Sequence, residues 1–178
     1  MSIIINWIML QSPLDNLIEI PYRDAVLAVY SAKNVITNTE WRELKEADKD
    51  KLIEVNSLGS DIQQYFINPV ATLTVNLKMQ GTAFRHKVWA EICKIPVGET
   101  LTYSALAVKI DSGARAVANA CRDNPYPGII PCHRVVAVSG LGGYMGKSSG
   151  KLLDIKQGLL TFEAMLVSNE NCLKEHAK

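Results

Sequence analysis

The sequence predicts an α/β protein of the α+β kind, with strands concentrated in its first part and helices in its second. Short apolar runs of strand length dominate up to Leu77, whereas apolar residues at a helical period dominate after Gly81. The length of 178 residues allows one domain or two small ones. Because the pattern changes at Gly81, we expect domains at residues 1–80 and 81–168, followed by a frayed tail at 169–178.

The first domain is predicted to consist mainly of strands. Its apolar runs are separated by turn residues, which is typical of strands. The charged segment 39–54 is predicted to be a solvated helix or a loop, and a short helix is predicted to end before Pro69. The predicted strands are 1–10, 17–20, 25–30 and 73–77, and the predicted helix is 60–66.

The second domain is predicted to be helical and to contain a helix-turn-helix. Thr82 and Thr102 each precede an apolar run and are suited to cap a helix. Residues 111–113 break the chain before an alanine-rich helix at 114–121. Two short helices joined by a Gly-containing turn are the pattern in which the second helix enters a DNA groove. Arg115 lies near the start of that helix, whose small side chains allow a close approach to a groove.

The charges are unevenly distributed along the chain. The total of 19 basic and 18 acidic residues gives a net charge of +1. Residues 1–80 carry seven basic and ten acidic side chains, whereas residues 81–160 carry ten basic and five acidic ones. The positive excess of the second domain is compatible with a phosphate backbone as its partner.

The cysteine pattern argues against a structural metal. Four widely spaced cysteines form no Cys-x-x-Cys pair, and only three histidines are available. We therefore expect neither a metal nor a cofactor. The apolar first ten residues lack a basic region and a cleavage site and are too short to span a bilayer. We expect a cytoplasmic monomer with reduced thiols and no membrane partner.

The most reactive pattern is the adjacent pair Cys132 and His133, which stands between apolar residues. The thiolate is the nucleophilic form of cysteine, and its free pKa of about 8.5 leaves little thiolate at neutral pH. A nearby histidine can take the proton. On an extended strand the two side chains would point to opposite faces, so a bridging water suits the pair better than a direct bond. The alternative is a structural cysteine beside a surface histidine.

Motifs that accompany this pair extend over about half of the chain. They are Gly81-Thr82-Ala83-Phe84 with Val88-Trp89, Ile95 to Tyr103, Ala114-Arg115-Ala116-Val117, Asn124-Pro125, Pro131-Cys132-His133-Arg134-Val135, Gly143-Tyr144, and Lys156 with Leu159-Leu160 and Glu163. In this order they resemble the O6-alkylguanine-DNA alkyltransferases, also called methylated-DNA–protein-cysteine methyltransferases. Residues 1–80 match the family only loosely.

The resemblance implies a DNA repair reaction with a single turnover. The alkyl group on O6 of a guanine in double-stranded DNA, or on O4 of a thymine, would be transferred irreversibly to Cys132. His133 would take the thiol proton through a water, and Glu163 would orient the imidazole and favour its charged form. Asn124 would fix the adjacent turn by a hydrogen bond within it. Tyr103 would donate a proton to N3 of the leaving guanine.

The resemblance also implies how DNA is bound. The lesion must be flipped out of the stack, with Arg115 filling the gap and Tyr103 crowding the neighbouring phosphate. The second helix would enter the minor groove, whose degenerate code suits repair in any sequence. The family's fold implies a small ribonuclease-H-like N-terminal domain and a helical, winged-helix-like C-terminal domain. The expected DNA-binding residues are Arg115, Tyr103, Ser104, Ala114 and Ala116, and the expected base-pocket residues are Val135 and Tyr144.

Two departures from the family lie at the expected pocket rim. The segment 146–151 is several residues longer than usual, and Met145 stands where a small residue is common, which leaves the preference among alkyl groups open. Residues 1–80 contain neither Cys nor His, so the zinc site of some relatives is absent. Two other functions remain as alternatives: a cysteine hydrolase that uses Cys132 and His133, and a sensor that binds alkylguanine without repairing it.

Overall fold

The computed structural model of the protein describes residues 3–14, 16–44, 57–69 and 71–175. It has a β-sheet in its N-terminal part and helices in its C-terminal part, which confirms the predicted α+β class. The ribonuclease-H-like and winged-helix-like descriptions stay predictions. The chain divides into two compact units, which are Met1–Thr82 with Pro125–Ile130, and Ala83–Asn124 with Pro131–Lys178.

Among its described residues, the first unit contains a five-stranded sheet and a helix. The strands are β1 (Ile3–Ile8), β2 (Asn16–Tyr22), β3 (Ala25–Ala32), β4 (Val35–Glu43) and β5 (Leu73–Lys78), and the helix is α1 (Ser57–Ile67). The strand order is β1-β5-β4-β3-β2. Strands β2, β3 and β4 pair antiparallel, whereas β5 pairs in parallel with both β1 and β4. These positions confirm the strands and the helix predicted for this part of the chain.

The core of the first unit is centred on strand β3. The successive residues 25–29 are all buried, as expected for an apolar run in a strand covered on both faces. On α1, Ile62, Tyr65 and Phe66 are buried at the spacing of one helix face. The sheet and this helix therefore share one apolar core.

The prediction of a helix or loop at 39–54 is wrong at its beginning. Strand β4 continues through Glu43, because Thr39 and Trp41 face the core and are only 2% and 9% exposed. These two residues pair with buried residues of β3. The rest of the segment from residue 45 lies outside the described residues.

The segment 125–130 belongs to the first unit, although it stands between two segments of the second. The hydroxyl of Thr39 donates a hydrogen bond to the carbonyl of Pro127 at 2.8 Å. The hydroxyl of Tyr126, a fully buried residue, donates to the carbonyl of Lys78 at 2.6 Å. These bonds attach the segment to strands β4 and β5.

The described part of the second unit contains four helices, a 3₁₀ turn and a short pair of strands. The elements are α2 (Ala83–Ile92), β6 (Leu101–Thr102), α3 (Tyr103–Lys109), α4 (Ala114–Arg122), the 3₁₀ turn Cys132–Arg134, β7 (Val135–Val136) and α5 (Lys151–Glu175). The hydroxyl of Thr102 accepts the backbone N–H of Ala105 at 3.1 Å, which confirms the predicted N-cap of α3. Trp89 on α2 donates its indole N–H to the carbonyl of Ala120 on α4 at 2.9 Å.

Two expectations about the second unit can be compared with the structure. Cys132 and His133 lie on a 3₁₀ turn and not on an extended strand. Of the expected tail at 169–178, residues 169–175 continue helix α5, whereas residues 176–178 lie outside the described residues. In the part of the chain that the structure describes, no helix is both long and apolar enough to cross a membrane.

Candidate active site

Cys132 begins the 3₁₀ turn and is buried, with 3% of its surface exposed. The side-chain amide of Asn124 donates a hydrogen bond to its Sγ atom at 3.2 Å. This contact with the sulfur was not expected, and the hydrogen bond of Asn124 within the turn stays a prediction. Burial raises the pKa of the Cys132 thiol, while the Asn124 hydrogen bond and the charge of Lys156 act in the opposite direction. The resting group is therefore a thiol that must lose its proton to react.

His133 lies on the same 3₁₀ turn as Cys132 and forms a buried pair with Glu163 of α5. The His133 Nε2 atom lies 2.8 Å from Oε1 of Glu163. Burial alone would raise the pKa of Glu163, but hydrogen bonds from His133 and Arg134 lower that pKa to about 2. Because the carboxylate is ionised, Nε2 carries the hydrogen and Nδ1 carries the lone pair. Within the described residues, the buried Nδ1 atom has no hydrogen-bond partner.

Glu163 favours the charged form of His133, as expected, but burial has the larger effect on this imidazole. Burial lowers the pKa of the imidazole, and the hydrogen bond and charge of Glu163, which act to raise it, do not outweigh that effect. The imidazole is thus neutral near pH 7. A neutral imidazole with a free lone pair can accept a proton, so this site has the charge state that a general base needs.

The 3₁₀ turn keeps Cys132 and His133 from facing each other. Such a turn has three residues per revolution, so neighbouring side chains point about 120° apart. The hydrogen bonds described for Cys132 include the one from Asn124 and none to His133. A direct thiol–imidazole pair, which the cysteine hydrolase alternative would use, is not formed.

The thiol opens onto a cavity of about 280 Å³ within the second unit. Cys132 lies at this cavity together with Tyr103 and Tyr144, and a second thiol, Cys121, lines it as well. Val135, which we expected in the base pocket, is fully buried and is not among the lining residues. The remaining lining residues are Ala118, Asn119, Arg122, Gly143, Met145, Gly146, Lys147 and Ser148.

Tyr103 and Lys156 are joined through the backbone of Gly143. The Tyr103 hydroxyl donates to the Gly143 carbonyl at 3.3 Å, and the Lys156 ammonium donates to the same carbonyl at 2.9 Å and to that of Val135 at 2.7 Å. Burial raises the pKa of Tyr103, so its phenol keeps its proton. Burial also lowers the pKa of Lys156 to about 8. Lys156 belongs to the family motifs, but its contacts with two carbonyls had no sequence signal.

The longer segment after Tyr144 begins with a tight turn at the cavity rim. Tyr144 and Lys147 exchange two backbone hydrogen bonds of 2.9 Å. The two residues between them, Met145 and Gly146, have φ angles of +49° and +78°. Positive φ at both central positions is the pattern of a type I′ turn, which is costly for a residue other than Gly, Asn or Asp. The rim is thus a defined hairpin turn with a methionine in a strained position.

Four of the five residues expected to bind DNA are not among the residues that line the cavity. Arg115 is exposed on the first turn of α4, and Ser104 is exposed on the first turn of α3. Ala114 and Ala116 are half-buried beside Arg115. Tyr103 is the one residue of this expected set that also lines the cavity. The two helix starts and the thiol cavity therefore belong to one unit and share Tyr103.

Fold and site together define an α+β protein whose reactive group is a buried cysteine beside a histidine–carboxylate pair. Residues 83–165 match the family model described as 6-O-methylguanine DNA methyltransferase, DNA binding domain. The chain is 31% identical over 163 residues to the constitutive methylated-DNA–protein-cysteine methyltransferase of Bacillus subtilis (strain 168), a match that covers 86% of this chain and 92% of that protein. The chain belongs to the methylated-DNA–protein-cysteine methyltransferase family.

Two further comparisons agree with this assignment. The methylated-DNA–protein-cysteine methyltransferase of Methanosarcina mazei is 42% identical over 119 residues, which are 65% of this chain and 70% of that protein. The crystal structure of Mycobacterium tuberculosis OGT in complex with DNA has a TM-score of 0.65 and 31% identity, and it covers 84% of this chain and 92% of the other.

Proposed function

We propose that this protein repairs double-stranded DNA by transferring the alkyl group of O6-alkylguanine, and of O4-alkylthymine, irreversibly to Cys132. The observation that carries this proposal is the position of Cys132, whose sulfur is hydrogen-bonded by Asn124 and lies at a cavity. The product is a thioether, a bond too stable to be cleaved by the side chains that the structure describes at the cavity. Each protein molecule therefore reacts once.

The first step of the proposed reaction is loss of the thiol proton. The proton passes from Cys132 through a water molecule to Nδ1 of His133, whose Nε2–H remains hydrogen-bonded to Glu163. The amide of Asn124 and the ammonium of Lys156 stabilise the thiolate that forms. Burial makes this anion costly in the resting protein, so the thiolate is formed at the moment of reaction.

The second step is displacement at the alkyl carbon. The sulfur of Cys132 forms a bond to that carbon while the carbon–oxygen bond to O6 breaks. The guanine would leave as an anion, and it takes a proton at N3 from the phenol of Tyr103. Burial raises the pKa of Tyr103, so its phenol is protonated before the reaction, and the phenolate that it leaves regains a proton from solvent. Tyr144, on the same cavity, would contact the base, and Val135 would support the pocket from behind.

DNA binding is assigned to the helix pair α3 and α4. A base inside the duplex cannot reach a buried thiol, so it must be flipped out. Arg115, exposed near the start of α4, would occupy the space that the base leaves. Ser104, Ala114 and Ala116 would contact the backbone nearby. We further propose that the protein acts in the cytoplasm, because the reaction requires Cys132 as a free thiol. We also propose that it acts as a monomer.

The experiment that tests this function measures the mass of the intact protein. After incubation with a duplex that contains O6-methylguanine, we expect one added methyl group per protein, located on Cys132 by peptide mapping. The variant Cys132→Ser serves as the control and should gain none. Repeated turnover would contradict the proposal. Tight binding of the methylated duplex without any gain in mass would indicate a lesion sensor.

A further inference from the structure

Arg134 is a fully buried cation with an ordered set of partners. Its exposed fraction is 0%, and its Nε atom donates to both carboxylate oxygens of Glu163, at 3.2 and 2.9 Å. Its Nη2 atom donates to Oε1 at 2.8 Å, and its Nη1 atom donates to the carbonyl of Ile95 at 2.8 Å. A planar guanidinium matches a carboxylate in this way and does not lose its proton in proteins.

Glu163 is therefore shared between two cationic or potentially cationic groups. Its Oε1 atom accepts from His133 as well as from Arg134, and its Oε2 atom also accepts the backbone N–H of Gly98 at 3.2 Å. A buried carboxylate with histidine as its one partner would favour the imidazolium, because each charge would compensate the other. With Arg134 present, the negative charge is already compensated.

The other charged and titratable groups near His133 do not cancel the compensation of the Glu163 charge by Arg134. Two groups on α5 act on the pKa of the His133 imidazole: Glu163 raises this pKa and Lys156 lowers it. Arg134, which follows His133 in the chain, also lowers this pKa. Cys132 lies on the same 3₁₀ turn, and Cys93 follows α2 with its pKa raised to about 12 by burial, so this second thiol is neutral. Arg134 is the cation that contacts the carboxylate partner of His133.

We propose that Arg134 is a positioning residue that neutralises Glu163 and thereby holds His133 as an uncharged base towards the Cys132 thiol. This role rests on the proposed function for its kinetic consequence, but the protonation of His133 can be measured without any alkyl transfer. Failure of the repair reaction and failure of this inference are therefore distinguishable. A purely structural Arg134 would connect α5 to the Ile95 carbonyl and leave the titration of His133 unchanged.

The test compares Arg134→Met, which removes the charge, with Arg134→Lys, which keeps it. Nuclear magnetic resonance follows the His133 ring proton as pH is varied. In Arg134→Met we expect the imidazole to gain its proton about one pH unit higher than in the wild type. The rate of alkyl transfer from free O6-methylguanine should then fall about tenfold on the acidic side of the profile and less at high pH. Arg134→Lys should remain close to the wild-type titration.

Two further variants keep the inference testable. Lys156→Met removes the other nearby cation, which does not contact Glu163, and should shift the His133 titration less than Arg134→Met does. If Arg134→Met does not fold, Arg134→Gln replaces it, because it removes the same charge and keeps an amide that can donate to Glu163, and we expect the same upward shift of the His133 titration. An unchanged titration in a folded Arg134→Met or Arg134→Gln variant would overturn the inference.

Discussion

The sulfur of Cys132 combines two opposed influences at the scale of single residues. Burial disfavours its anion, whereas the Asn124 amide donates a hydrogen bond that strengthens when the sulfur becomes charged. The amide therefore stabilises the reacting state more than the resting thiol. An interaction that is stronger in the transition state than in the ground state accelerates the reaction.

Replacing Asn124 by alanine should slow alkyl transfer without preventing it. A hydrogen bond to a charged group contributes about 1.5–3 kcal/mol, so the rate with free O6-methylguanine at neutral pH should fall by roughly one to two orders of magnitude. The rate should recover in part as pH rises, because more thiolate is then formed. The measurement is the decay of unmodified protein followed by mass. Asn76→Ala, which changes an asparagine of the sheet, is the matched control, and equal rates for both variants would contradict the assignment.

The residue types of the site were predictable from the sequence, but several of their contacts were not. The adjacent Cys132 and His133 indicated a nucleophile and a base, and the family motifs added Glu163. The contact between the Asn124 amide and the Cys132 sulfur depends on the path of the chain between these residues, and residues 125–130 of that path belong to the first unit. The charge state of His133 depends on burial and on Arg134. Neither the contact of Asn124 nor the charge state of His133 can be obtained from the spacing of residues along the chain.

At the scale of elements, residues proposed for DNA binding and residues of the proposed reaction cavity lie at opposite ends of α4. The exposed Arg115 lies on the first turn of α4, whereas the last turn of the same helix contributes Cys121 to the cavity. In the proposed function, the two ends of this helix would therefore serve different steps. A change at Arg115 should alter base flipping and leave the transfer step intact.

The variant Arg115→Ala should distinguish these two steps. We expect slower repair of a duplex that contains O6-methylguanine, because the gap left by the flipped base is no longer filled. The reaction with free O6-methylguanine should remain near normal. Single-turnover rates with both substrates provide the measurement, and Arg23→Ala, which removes an exposed arginine from the first unit, is the control. Equal losses on the two substrates would argue against the role of Arg115.

Elements with strong local signals were predicted well, and those defined by their neighbours were not. The Thr102 cap and the helix break at 111–113 are local, and both were found. The charged appearance of 39–43 comes from Glu40 and Arg42, which form an ion pair at 2.6 Å on the more exposed side of β4. The buried side of that strand becomes evident only when β3 lies beside it. Burial against a partner strand is a property that the pattern of a single segment does not contain.

At the scale of the whole molecule, the buried neutral His133 makes stability depend on pH. The folded state holds this imidazole with a lowered pKa, whereas the unfolded chain takes up the proton at about pH 6.5. The unfolded state therefore binds more protons as pH falls below that value, and the free energy of unfolding decreases. Carboxylates with lowered pKa, such as Glu163, lose their contribution only in more acidic solution.

Urea unfolding between pH 7 and pH 5 should detect this dependence. We expect the free energy of unfolding to fall by up to about 1.4 kcal/mol per pH unit below pH 6.5, since one proton is involved. The variant His133→Gln lacks the titrating group and should have a flatter dependence, whatever its absolute stability. If the wild type and the variant lose stability with the same slope, another group is responsible.

The segment Pro125–Ile130 determines when the first unit can be completed during synthesis of the chain. The first unit is synthesised first, but it lacks this segment until residue 130 has left the ribosome. The hydrogen bonds of Tyr126 with Lys78 and of Thr39 with Pro127 can form only then. The next residues to emerge include Cys132. The nascent chain thus completes its sheet domain immediately before the alkyl acceptor appears, and a fragment that starts at residue 83 would leave these buried side chains without their partners.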